Sequence, residues 1–536
     1  MKPVGLLDAP GAQALHFAWL SAAVAPATEY GEREFVKLRP FSAGDEAAAQ
    51  ARCQRIAAVA TAAGAACLDA VREALRAAPD AVGAIARASM GDVLEDADFF
   101  ELQRFCDAAE RVDALLAGVE QVGAVRDDAV QATARALDPG RTGKYGFYLA
   151  DRFDADLGAT RAALSAAQAE LDAARGRTLR RIAAELERDD LSGDEFIVMR
   201  AELHRPLPAG VRVVREAPTY YLCALEFDET ALLALARRDA AADAVAGAEE
   251  TVRAKLSAVV RAHAAQLGRA AERLGEVDVL VAAARFTLEH GCRPAHIVAQ
   301  PVLAFTGGRF LPLLEELETQ GRTFTSIDIE LHDVAVLTGP NMGGKSVCLR
   351  TCGFIALCAA FGLPVPARDA TAGLFDEIAW LGVGSEDAVL GDLLSSFAKE
   401  VVRLRDVLAR GAKRLLVLID EFARTTTPHE GKALLVAVVD RLGTDGACGL
   451  VATHLSGVAG QAGVRHFAVR GLRGLPQRPP TGNLHEALAA LAGSMDYTVA
   501  EVGTDERSRA DAIALAALLG LDDDLVESAY SALRDS

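Results

Sequence analysis

The run Gly339-Pro340-Asn341-Met342-Gly343-Gly344-Lys345-Ser346 satisfies G-x-x-x-x-G-K-[ST], the spacing of a phosphate-cradling loop. Glycines let backbone N–H groups converge on phosphate oxygens where a helix begins. In that setting Lys345 supplies a point charge to the β- and γ-phosphates, and Ser346 an oxygen to Mg²⁺. ATP and Mg²⁺ are therefore the expected cofactors. Further on, the apolar run Leu415 to Ile419 ends in Asp420-Glu421. Two adjacent carboxylates at a strand's end divide the labour: Asp420 faces Mg²⁺, directly or through water, and Glu421 orients and polarises the attacking water. A third apolar run, Cys448 to Thr453, ends in His454, a position suited to sensing the γ-phosphate.

These groups need a scaffold that brings strand ends together. Residues 334–338 (VAVLT) read as a buried strand entering the loop, and the apolar stretch leaving it, from Ser346 to Phe361, reads as a helix. Strand-like and helical segments alternate from 297 to 474, which predicts one βαβ sheet in a P-loop ATPase domain. Residues 1–137 read as a helical core and lever, and 11–27 within them as one amphipathic helix rather than a signal peptide. Residues 138–296 read as a long-helix clamp with its return: 151–189 is a long helix or helical hairpin, 195–228 carries short β-like runs, and 229–290 is helical again. A turn-rich linker and C-terminal helices fill 475–536. The fold class is α plus α/β.

The chain has 536 residues, 51% of them hydrophobic, and a formal charge of −19. That composition excludes a wholly disordered chain, and no run of apolar residues is long enough to span a bilayer. No membrane association and a cytoplasmic location are expected. The 9 cysteines are scattered with no CxxC pair, which fits buried thiols rather than disulfides or a zinc ribbon. An acidic chain meets nucleic acid only through a local basic surface. Arg175, Arg177, Arg180 and Arg181 are the best candidates for phosphate contact, against the alternative of a solvated helix face paired with Glu185, Glu187 and Asp189.

The loop Thr338 to Ser346, the Asp420-Glu421 pair in its context through Leu434, and Val451 to His454 closely resemble the ATPase domain of the MutS family, a branch of the ABC-type ATPases. Asn341 and Met342 make the match narrower than a bare P-loop. The resemblance implies more. Residues 384–401 look like the signature segment, with Ser395-Ser396-Phe397 at its core, and one subunit's Ser395 and Ser396 would complete the other's phosphate site in a homodimer. Phe324 would lie against the adenine. Residues 510–533 resemble the C-terminal dimerisation helices. The likeness is strong over 297–460 and weak elsewhere.

Departures are informative. The Glu-Ile-Gly-Arg-Gly-Thr usual after the aspartate reads Glu421-Phe422-Ala423-Arg424-Thr425-Thr426 here, and Ser456 replaces a second histidine. From the length, neither separate mismatch-reading and connector domains nor a nuclease domain after the ATPase core is expected. Phe99-Phe100-Glu101 has the Phe-x-Glu spelling of a mismatch wedge, but its amphipathic setting predicts core packing. Small MutS-related reactivases of cobalamin-dependent aminomutases share the spellings Asp420 to Thr426 and Met495-Asp496-Tyr497 with Glu501-Val502. Two functions follow from the resemblance: a clamp-type ATPase acting on mismatched or branched DNA, or an ATPase that remodels a partner enzyme.

Overall fold

The computed structural model describes residues 1–141, 146–340, 343–382, 396–472, 495–504, 513, 516–517 and 521–534. They form a mixed α/β protein of two compact units, each discontinuous in sequence. Asn341, Met342 and Ser395 lie outside the described residues, as does the linker at 475–483.

One unit comprises Ala77–Glu110 and Val125–Ala271. A single helix, Ala155–Glu185, resolves the helix-or-hairpin alternative, and Asp154 caps it by accepting the Asp156 N–H at 3.0 Å. The β-like runs become a small antiparallel sheet of β1 (Glu195–Met199), β2 (Val211–Glu216) and β3 (Tyr220–Leu225), in the order β1-β3-β2. Burial alternates strictly along β1, so Phe196 and Val198 pack with Cys223 on Ile182 of the long helix. The chain then returns along the helix Glu229–Glu289. Phe99 is fully buried in this unit, as its amphipathic setting predicts.

The other unit comprises Met1–Arg76, Arg111–Ala124 and Glu272–Ser536. Its main sheet draws on β7 (Val334–Thr338), β9 (Glu377–Gly382), β10 (Leu415–Asp420), β11 (Cys448–Ala452), β12 (His466–Leu472) and β13 (Met495–Val502), in the order β13-β12-β7-β11-β10-β9. All neighbours pair parallel except β12 and β13. The single βαβ sheet expected from 297 onward is corrected here. The strands β4 (His296–Val298), β5 (Leu303–Gly308), β6 (Ile327–Leu331) and β8 (Asp369–Gly373) form a second, mostly antiparallel sheet of order β4-β8-β5-β6. The half-exposed alternation of β6 marks a sheet with one wet face, whereas β7 and β11 are buried at every position.

Helices Ser396–Arg410 and Pro428–Thr444 cover one face of the main sheet, packing Val407, Leu435 and Val439 on Val336, Val417 and Ile419. Helix Lys345–Ala360 is buried almost all round, which explains why its sequence is apolar without a polar stripe. The one helix expected over 11–27 is two, Ala9–Ala14 and Phe17–Ala23, because His16 adopts a left-handed backbone (φ 52°) that breaks the hydrogen-bond ladder. All nine cysteines are free, and every one but Cys67 is buried. No described helix is long and apolar enough to cross a membrane.

Gly353 is where the N-terminal segment meets the loop helix. A Cβ there would lie 2.4 Å from Leu15 Cδ2 and 2.8 Å from Leu418 Cδ1. Gly353→Ala should therefore lower stability by about 1–3 kcal/mol despite alanine's better helix propensity, measured by denaturant unfolding. A stabilised variant would mean that this contact is looser than the geometry shows.

Candidate functional site

Parallel pairing sets the site. Leu337 aligns with Ala452, and Ala452 with Asp420, so β7, β11 and β10 end at one edge. The Thr453 N–H donates to Leu337 O at 3.0 Å, and the Glu421 N–H to Ala452 O at 3.0 Å, extending the ladder past the strands. From that edge the chain turns at Gly339 (φ 154°) and enters its helix from Gly344 (φ 87°). A Cβ on Gly339 would meet Val469 at 3.0 Å, and one on Gly343 would meet Pro340 O at 2.9 Å, so both positions need glycine for close approach.

Lys345 is buried, 5% exposed. Its ammonium donates to Gly339 O at 3.0 Å and Pro340 O at 3.1 Å and lies 3.6 Å from Glu421 Oε1. The other Glu421 oxygen is 3.8 Å from Arg424. Ser346, the first residue after Lys345, lies close enough to the Asp420 carboxylate to lower its pKa. Burial raises the Asp420 pKa above its ordinary 3.8; the nearby Ser346 hydroxyl opposes the shift and the neighbouring Glu421 charge adds to it. The Ser346 hydroxyl and the desolvated Asp420 carboxylate offer hard-oxygen donors, while the second carboxylate, Glu421, is already met by Lys345 and Arg424. That fits Mg²⁺, which takes one or two protein oxygens beside substrate phosphates rather than a full protein cage.

Glu421 (φ 57°) and Ala423 (φ 60°) both hold left-handed backbone. Ala423 stands where the resembled family has glycine, and its conformation explains that preference. The strained turn is anchored by Glu400, whose Oε2 accepts the Ala423 N–H at 2.8 Å from the helix Ser396–Arg410.

Other expected residues are placed differently. His454 follows β11 as expected but is exposed, and it makes no hydrogen bond or ion pair among the described residues. Phe324 is half-buried in the segment leading to β6. Ser396 begins its helix. The arginines of the long helix divide. Arg175 pairs with Asp194, and Arg181 lies 3.5 Å from Glu185 and donates to Ala209 O at 3.1 Å, while Arg177 and Arg180 are exposed. Two residues escaped the sequence reading. Tyr497 on β13 would touch a Cβ on Gly344 at 3.2 Å, which puts a phenol ring beside the loop. Buried His466 on β12 shares a 2.8 Å hydrogen bond with the Thr338 hydroxyl and a 3.0 Å contact with Gly503 O. Their signal is the sheet order, β12 beside β7 and β13 beside β12, which a local spelling does not reveal.

Residues 335–471 match the family description MutS domain V. Over that segment the chain is similar to the MutS family. It is 30% identical over 274 residues to Endonuclease MutS2 of Carboxydothermus hydrogenoformans, covering 50% of this chain and 32% of that protein. It is 34% identical over 199 residues to DNA mismatch repair protein MutS of Shouchella clausii (36% and 22%), and 36% over 206 residues to that of Granulibacter bethesdensis (37% and 22%). These matches span 22–32% of those MutS-family relatives' length.

The raised Asp420 pKa means that the folded chain holds this proton to higher pH than the unfolded chain, so ionising Asp420 withdraws stability as pH climbs from 3.8 through the folded value. Asp420→Asn should therefore melt no lower than the parent at neutral pH. Mg²⁺-dependent nucleotide binding should fall by at least about tenfold. Thermal melts and fluorescent-nucleotide titrations with and without Mg²⁺ check both; lost stability with intact Mg²⁺ dependence would make Asp420 a purely structural residue.

Proposed function

We propose that this chain is a MutS-family ATPase that binds ATP·Mg²⁺ at residues 339–346 and uses hydrolysis to change the state of a DNA-engaging helical arm. The observation that carries the reading is the buried Lys345 ammonium, on two loop carbonyls and 3.6 Å from Glu421, at the strand edge where Asp420 also ends β10. The loop would wrap the phosphates with its N–H groups, including those of Asn341 and Met342, and Lys345 would leave its two carbonyls and Glu421 for the β/γ-phosphates. Ser346 and Asp420 would hold Mg²⁺, which neutralises phosphate charge when bound. Glu421, released from Lys345, would then orient water, and His454 is the candidate γ-phosphate sensor. Tyr497 offers a face for the base, with Phe324 as the second candidate. A homodimer sharing sites through Ser395 and Ser396 belongs to the same reading.

DNA is favoured as the partner because the named relatives are a repair protein and an endonuclease; the aminomutase-remodelling alternative draws no support from them.

Glu421→Gln keeps shape and hydrogen bonding but removes the charge that polarises water. Nucleotide binding should persist while turnover drops by about 10²–10⁴-fold, read by single-turnover assay; an undiminished rate would remove Glu421 from the activating role.

On the arm, Arg177 and Arg180 are the arginines free to meet phosphate, since Arg175 and Arg181 hold the helix to neighbouring segments. Replacing Arg177 and Arg180 with alanine should flatten the log–log salt dependence of DNA binding by roughly 2, at about 0.9 per contact. DNA-independent ATP turnover should survive. Absence of DNA binding by the parent at low salt, with and without nucleotide, would defeat the DNA reading and leave the ATPase reading standing.

A further inference from the structure

A pocket of about 520 Å³ lies within the unit that carries the main sheet, between helices Glu29–Lys37, Glu46–Arg76 and the final turns of Glu229–Glu289. Phe41, Ile56, Val279 and Leu280 give it an apolar wall, and Arg52 and Arg55 enter from one helix. None of these residues belongs to the nucleotide site.

Arg52 is a cation of this pocket that no described acid meets. Its Nε is sealed from solvent with no hydrogen-bond partner, and no described carboxylate pairs with its guanidinium. Burial lowers its pKa and repulsion from Arg55 lowers it further, with nothing opposing. A half-buried charge left without an anion is costly, and an anionic ligand in the pocket would offset that cost. The stem is also fixed in place. Gly362 (φ 61°) leaves room where a Cβ would lie 3.0 Å from both Arg52 Cδ and Phe41 Cε2. By contrast the acids of the rim already have a cation: Glu34 holds Lys37 at 2.6 Å, and Glu276 adds to the field on that lysine. Arg55 spends only its Nε, on Gln121 O at 3.0 Å.

We propose that this pocket binds a monoanionic organic carboxylate, its head on the Arg52 and Arg55 guanidinia and its hydrocarbon body on Phe41, Ile56 and Leu280. The planar fork of arginine suits a carboxylate held by paired N–H donors. Glu34 and Glu276 against Lys37, Arg52 and Arg55 leave one net positive charge, which favours a monoanion over a phosphate dianion. The volume suits a small organic ligand rather than a bare ion.

Octanoate is the probe, titrated into the full chain by calorimetry, with octylamine and inorganic phosphate alongside. Saturable binding of octanoate alone is expected, weakened at least about tenfold in Arg52→Gln. Arg52→Met without ligand should melt at or above the parent temperature, because no internal ion pair is lost. No saturation by about 10 mM octanoate, equal binding by Arg52→Gln, or preference for phosphate or octylamine would each overturn the proposal. So would a clear fall in melting temperature in Arg52→Met, which would reveal an anion already supplied by the fold. ATP turnover is not part of the readout, so these outcomes are separate from those testing the nucleotide site.

Discussion

The parallel hydrogen-bond ladder through β10, β11 and β7 is the constraint on which the site depends. Its register puts Asp420 beside Ala452 and Ala452 beside Leu337, so two loops far apart in sequence begin at the same edge. A slip of one residue would turn Asp420 toward the opposite face of the sheet and part it from Ser346. Register is held by burial: β7 and β11 have no exposed position, so every side chain is committed to one packed face or the other. Gly449, whose Cβ would lie 2.4 Å from Val417 O, shows how closely the central strands approach.

On that edge the molecule concentrates charge and strain together. Lys345 is buried against two carbonyls and a carboxylate, and Asp420 is desolvated with only a hydroxyl and distant cations to offset it. Left-handed backbone at Glu421 and Ala423 adds on the order of 1–2 kcal/mol per residue. Such conformations persist where surroundings over-determine them. Here the Glu400 carboxylate holds the Ala423 N–H, and Phe422 packs into the core beneath the turn.

The arm unit uses a different logic. Its sheet is small and one-sided, and its anchorage comes from Phe196, Val198 and Cys223 packing on Ile182, with Arg175 tied to Asp194. Charges that look equivalent along one helix in sequence thus have unequal duties. Two of them close the junction, and two face solvent.

Much of the site was legible because its chemistry is local. A glycine-rich turn into a helix, Lys345-Ser346, and Asp420-Glu421 after an apolar strand are short-range patterns whose meaning survives without knowledge of neighbours. Long helices were legible for the same reason, since their periodicity repeats over many turns. What remained hidden is set by pairing between distant segments. Sequence alternation could not divide the strands after 297 into two sheets, because a short, mostly apolar antiparallel strand such as β5 and a short apolar parallel one such as β11 carry no local mark of their partners. Nor could it place Tyr497 against Gly344 or His466 against Thr338, since those contacts exist only once β12 and β13 extend the sheet beyond β7. Local spelling determined which residues can do chemistry; the burial of whole strands and helices, decided only in the folded chain, determined which of them meet.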